Sequence, residues 1–129
     1  MQTYSFRIEP DQDLREEIQR VVDQHAIDAG VILSGVGSLR RARIRLADAG
    51  RFLEAEQDYE IVSLTGTISR NGSHLHLSVS DDQGKTVGGH LSKGCVVRTT
   101  AEIVIGVVQG TYRRKPDSRT GYDELVVEE

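Results

Sequence analysis

The side chains best suited to chemistry in this sequence are three of its four histidines, His74, His76 and His90. His74 and His76 stand one residue apart in Ser73-His74-Leu75-His76-Leu77-Ser78-Val79, and His90 follows the pair Gly88-Gly89. In a β-strand, residues i and i+2 point to the same face, so the first two imidazoles sit side by side. A neighbouring strand running back antiparallel brings His90 to the same patch. Three neutral imidazoles on a rigid face, with one coordination position open, suit zinc and related divalent ions. A polar residue alternating with Leu75, Leu77 and Val79 is also what a strand with one wet face looks like. On the pattern alone a metal site and a solvated, hydrogen-bonded histidine cluster both stand.

Two turns position these residues. Arg70-Asn71-Gly72-Ser73 contains Asn-Gly, a strong short hairpin signal. Tyr59 to Ile68, ahead of it, reads as a strand in which Gly66 marks a bulge or a close approach. Asp81-Asp82-Gln83-Gly84 supplies the second turn and returns the chain through Lys85 to His90. His76 and His90 lie at similar distances from that turn, so antiparallel pairing predicts that they meet.

Further out, Tyr4, Phe6 and Ile8 alternate with polar residues in a strand that Pro10 ends. A helix is predicted from about 12 to 28, with Asp11 as N-cap, an inward stripe of Leu14, Ile18, Val21 and Val22, and Gly30 as stop signal. His25 falls near the C-terminus of that helix, where a partly charged imidazole is favoured, and is read as structural, outside the metal site. Val31-Ile32-Leu33 suggests a buried strand. Ser34-Gly35-Val36-Gly37-Ser38 lacks the lysine and spacing of a phosphate-binding P-loop and has no helix after it, so a strand-to-strand turn is predicted. Residues 47 to 58 are polar and read as a loop. Cys95 to Val108 reads as a long central strand, with a short last strand at about 123 to 127. One helix and about seven strands predict an α+β fold with a largely antiparallel sheet, a single domain over residues 1–129.

Composition narrows the possibilities. A chain of 129 residues is long enough for a core without disulfides, and its one cysteine excludes an internal disulfide. Flanked by Gly94 and Val96-Val97, Cys95 reads as a small buried residue rather than a nucleophile. The first residues do not look like a signal peptide, and no apolar run approaches the ~20 residues of a membrane span. A soluble, cytoplasmic protein is expected. The net charge of −4 argues against a chain whose main task is to coat nucleic acid. A local basic patch remains: Arg41, Arg43 and Arg45 alternate with Ala42, Ile44 and Leu46, and Arg40 adds a fourth charge. That face is either solvated, or an anion-binding stripe or subunit contact.

Taken together, Leu33-Ser34-Gly35-Val36-Gly37-Ser38-Leu39, Tyr59 to Gly66, His74-Leu75-His76, Val87-Gly88-Gly89-His90-Leu91 and Thr100 to Ile105 resemble, in the same order, the plant and prokaryote conserved (PPC) domain, also called domain of unknown function 296. The resemblance covers nearly the whole chain and is to the free-standing prokaryotic type. It implies a compact α+β domain that assembles as a homotrimer. In plants the domain is joined to AT-hooks that bind A·T-rich minor grooves. No Arg-Gly-Arg-Pro hook occurs here, so that role is not expected to carry over. Some prokaryotic members look like metal proteins with a three-histidine cluster, which His74, His76 and His90 match.

Three functional classes follow. The first is a trimeric binding or assembly module holding zinc, or another divalent metal, through His74, His76 and His90. The second is a metal-dependent hydrolase or lyase, for which Glu60 and Glu102 are the candidate general bases. The third is a DNA-associated or regulatory protein, as the family is often labelled, binding through Arg40, Arg41, Arg43 and Arg45 with Arg113, Arg114 and Lys115.

Overall fold

Alternating apolar residues drive most of this chain into strands. The computed structural model describes residues 1–48 and 50–128. Ala49, within the predicted 47–58 loop, and Glu129 lie outside the described residues. In chain order the elements are β1 (Gln2–Ile8), α1 (Leu14–Gln24), β2 (Ala29–Arg45), β3 (Phe52–Ala55), β4 (Tyr59–Ser69), β5 (Gly72–Ser80), β6 (Thr86–Leu91), β7 (Val96–Val107), β8 (Thr111–Asp117) and β9 (Tyr122–Glu128). The main sheet runs β1-β7-β2-β4-β5-β6, with β3 on β2, and it curls so that β6 also pairs with the far end of β2. β8 and β9 form a separate two-stranded ribbon. The strand pairings are antiparallel, giving the predicted α+β architecture.

Helix α1 buries Leu14, Ile18, Val21 and Val22 against the sheet. These meet Ile44, Leu75, Leu77, Val79, Val97, Ile103 and Ile105 in one continuous core. Burying each Leu, Ile or Val contributes about 1.5–3 kcal/mol relative to exposure. Cys95 belongs to that core, as predicted. Burial raises its thiol pKa, and its sulfur faces the Arg43 backbone on both sides, accepting from N–H at 3.4 Å and donating to C=O at 3.3 Å.

Six local predictions need correction. The helix spans Leu14–Gln24, shorter than 12 to 28. Its N-cap is Asp13, whose Oδ1 accepts the Glu16 N–H at 3.0 Å and whose Oδ2 accepts the Gly94 N–H at 2.7 Å. Asp11 instead lies at φ 71° and ties to the Arg40 guanidinium at 2.8 Å. The helix stops because Ala26 turns to φ 49°, and Gly30 lies inside β2. Ser34 to Ser38 is not a turn: β2 runs through it, with pairing irregularities against β7 at Ile32/Ser34 and Gly37/Leu39. Its glycines serve close packing, since a Cβ on Gly35 would press into Leu64 at 2.9 Å. Leu33, expected buried, is 49% exposed. Finally, the predicted 47–58 loop contains β3, a short edge strand on β2.

Candidate metal centre

β5 and β6 present the three histidines on the sheet's outer face. Leu75, Leu77 and Val79 of β5 are buried, so the alternate residues His74, His76 and Ser78 must point the other way. Across β6, His76 is directly opposite His90, as the turn spacing predicted. His90 is in turn opposite Arg45 of β2, and His76 is opposite Thr65 of β4. Directly opposed residues share a face. The outcome is one lateral row, Arg45–His90–His76–Thr65, crossing four strands, with His74 one step beside it. The two glycines that permit this approach are specific: a side chain at Gly66 would meet the His74 carbonyl, and one at Gly89 the Arg45 carbonyl.

The ring centroids lie 4.9 Å apart for His74 and His76, 5.2 Å for His74 and His90, and 4.6 Å for His76 and His90. One nitrogen from each falls within 4.8 Å of the others. Three nitrogens on a common tetrahedral zinc stand roughly 3.4 Å apart, given Zn–N bonds of about 2.0–2.1 Å. Burial, then the neighbouring His76, Arg114 and Arg45, hold His74 below the usual histidine pKa against an opposing pull from Glu124. His90 is lowered by burial first and then by Arg45, His76, His74 and Arg15. Both effects favour neutral imidazole, the form that ligates metals. His25 sits apart, stacked on Tyr4 at 3.9 Å between centroids.

The histidines line a cleft of about 810 Å³. Its rim comes partly from β9, with Tyr122, Asp123 and Glu124. The candidate bases named from sequence are elsewhere. Glu60 pairs with Ser80, four residues along β5 from His76 and therefore roughly 13 Å away. Glu102 lies on β7, three strands from β5, or roughly 14 Å across the sheet. Glu124 is the carboxylate that acts on the cluster. The sequence offered no signal for it, because the residue reaches the cleft only through the packing of a separate ribbon.

The arginine run also divides. Arg40 pairs with Asp11 at 2.8 Å, Arg41 stands 3.9 Å from both Glu54 and Glu56, and Arg43 pairs with Glu54 at 2.9 Å while covering the Phe52 ring. Arg113 and Lys115 share Glu128. Arg43, held by Glu54, lines the histidine cleft together with Arg45, Arg15 and Arg114, which form no ion pair among the described residues.

The family model for the Plants and Prokaryotes Conserved (PCC) domain matches residues 1–109. The chain belongs to that family. The sheet and its three histidines fall within the matched residues, and the β8–β9 ribbon lies beyond them. A hypothetical protein of Salmonella enterica superposes on this PCC chain with TM-score 0.94 at 38% identity, covering 98% of this chain and 93% of that one. A metal-containing protein of Archaeoglobus fulgidus shares the PCC fold with TM-score 0.81 at 24% identity, over 98% and 94% of the two chains. Among curated proteins, the bifunctional protein GlmU of Synechococcus strain JA-3-3Ab is 44% identical over 129 residues, 99% of this chain. That match takes up 21% of GlmU, so the chain spans about a fifth of the length of the curated relative. Among the described residues, no helix is long and apolar enough to cross a membrane.

Proposed function

We propose that this PCC domain is a metal-binding module in which His74, His76 and His90 hold one divalent ion, zinc first among candidates. The observation that carries the reading is the convergence of three imidazole nitrogens within 4.8 Å on two hydrogen-bonded strands. The Archaeoglobus relative described as metal-containing supports it. The donor set fits zinc, which takes imidazole nitrogen and keeps a position open in sites with three protein ligands. Protein purified without a histidine tag is expected to carry about one zinc per chain, with His76→Ala losing it while keeping the wild-type circular dichroism, because His76 is exposed. Equal metal content in both proteins overturns the reading.

A catalytic version, a metal-dependent hydrolase or lyase, gains from Asp123 and Glu124 at the same cleft. The ion would supply Lewis acidity there, and Glu124 would be the proton-handling group in place of Glu60 or Glu102. Turnover of esters, phosphoesters or lactams by zinc-loaded protein, lost in Glu124→Gln, is the expected sign; complete inactivity restricts the module to binding. A DNA-associated role draws on the family label, but most of the arginines that would carry it are committed to carboxylates.

The assembly we propose is a homotrimer, as the family implies. Leu33, Val36 and Val62 on β2 and β4 are 49, 52 and 58% exposed and are apolar surface suited to covering by further copies. Light scattering that returns the mass of one 14.3 kDa chain at micromolar concentration rules this out.

A further inference from the structure

Neutral imidazoles bring no negative charge to a dication, so the three histidines leave a bound ion's charge uncompensated. Directly beside them on the ladder, Arg45 adds a positive charge. Its Nε is buried and has no hydrogen-bond partner, and among the described residues no carboxylate forms an ion pair with it. A buried guanidinium nitrogen without an acceptor is an expensive arrangement that folded proteins generally avoid. Two more guanidiniums border the same space. Arg15 donates to the carbonyls of Leu91 and Ser73 at 3.2 and 3.4 Å, and Arg114 donates to Thr67 Oγ1 at 2.8 Å. Neutral acceptors hold these two side chains in place without cancelling their charge. The cleft's remaining cations are neutralised, Arg43 by Glu54 and Lys93 by Glu16. The opposing charges are Asp123 and Glu124, both on the ribbon, whereas Arg45 and Arg15 stand at the His90 end.

We propose that Arg45, with Arg15 and Arg114 beside it, forms an oxyanion subsite, and that the cleft takes a small molecule whose carboxylate or phosphate spans the histidine-held ion and the Arg45 guanidinium. The planar guanidinium fork matches either group with two parallel hydrogen bonds. The cleft of about 810 Å³ is of the size that holds a small metabolite. An oxyanion there meets the terminal nitrogens of Arg45 at the cleft wall and balances an ion that the histidines cannot. The proposal rests on the metal reading for one of its two anchors; the arginine anchor is independent of it.

The test is calorimetric titration of inorganic phosphate, and separately of malonate, into zinc-loaded and metal-free protein, with zinc measured in every sample. Zinc-loaded wild type is expected to bind at least one of the two, and the preferred probe names the group recognised. Arg45→Gln is expected to weaken binding tenfold or more at unchanged zinc content. Arg45→Lys, which keeps the charge but not the fork, is expected to recover part of it. Arg15→Gln gives a second, smaller loss should the Arg45 variants fold poorly. Fully zinc-loaded wild type that binds neither anion, or folded Arg45→Gln that binds as wild type does, overturns the subsite while leaving the metal centre standing. If the protein takes up no zinc, the metal reading fails by itself. Titration of the metal-free chain then decides: Arg45-dependent binding retains the subsite, and no binding removes it.

Discussion

The strands β5 and β6 and the ribbon β8–β9 both border the cleft, yet they are held by different physics. β5 is anchored by Leu75, Leu77 and Val79, each at most 2% exposed, and its neighbours on both sides lie in the same ladder. The ribbon has no buried residue among those described. It docks through polar contacts: the Arg70 N–H to the Tyr112 carbonyl at 2.9 Å, the Tyr112 N–H to the Asp28 carbonyl at 3.0 Å, and Asn71, which bonds the Arg114 backbone through both ends of its amide at 2.7 and 2.8 Å. The rigid sheet therefore fixes the imidazoles, while a lightly attached element supplies the carboxylates and Arg114. Within this division, ligand geometry belongs to the core and rim charge to the ribbon.

The largest effect should come from the sheet. Leu77→Ala opens a cavity behind His76 and should lower stability by about 2–5 kcal/mol in chemical denaturation and weaken zinc binding with it. Leu125→Ala, on the ribbon at 38% exposed, should change stability by less than about 0.5 kcal/mol. Equal losses at the two positions would erase the contrast. Next, Asn71→Ala removes two hydrogen bonds at about 0.5–1.5 kcal/mol each. It should speed amide exchange in β8 and β9 while leaving that of β5, and zinc content, unchanged. Uniformly faster exchange would show that ribbon and sheet open as one unit.

The smallest effect is in pH. His74 and His90 are held below the ordinary value of 6.5. As pH falls through about 6.5 the unfolded chain takes up protons that the folded chain still resists, so metal-free stability declines from there down to the folded pKa values. Below both it declines no further on their account. In the same window His74 and His90 stay neutral, so zinc should be retained to a lower pH than a site of unperturbed histidines allows. Release centred above 6.5 would contradict this.

Much of the site is legible in the chain because it depends on short-range periodicity. His74 and His76 share a face by spacing, Asn71-Gly72 and Asp81 to Gly84 set the two turns, and equal arm lengths bring His90 opposite His76. What escapes is what long-range pairing decides. Nothing local distinguishes Arg45 from Arg43: one lies opposite His90 because β6 returns to β2, the other opposite Glu54 because β3 does. Gly35 and Gly37 look like turn residues but are gaps for neighbouring strands. β3, four residues inside a largely polar stretch, is too short to announce itself, and Asp13 outcompetes Asp11 as cap because the Gly94 amide, 81 residues on, adds a second donor.

The alternation that aims the imidazoles outward also guards the alignment of β6 on β5. β6 is six residues long with two adjacent glycines, a segment with little side-chain bulk to hold it in place. Were it to slide one position along β5, His90 would turn into the apolar interior and Leu91 would face water. An ion held by His76 and His90 as proposed would clamp the two strands in the frame that sets those two rings opposite each other. The cleft and the correctness of its own wall would then be secured by the same three side chains.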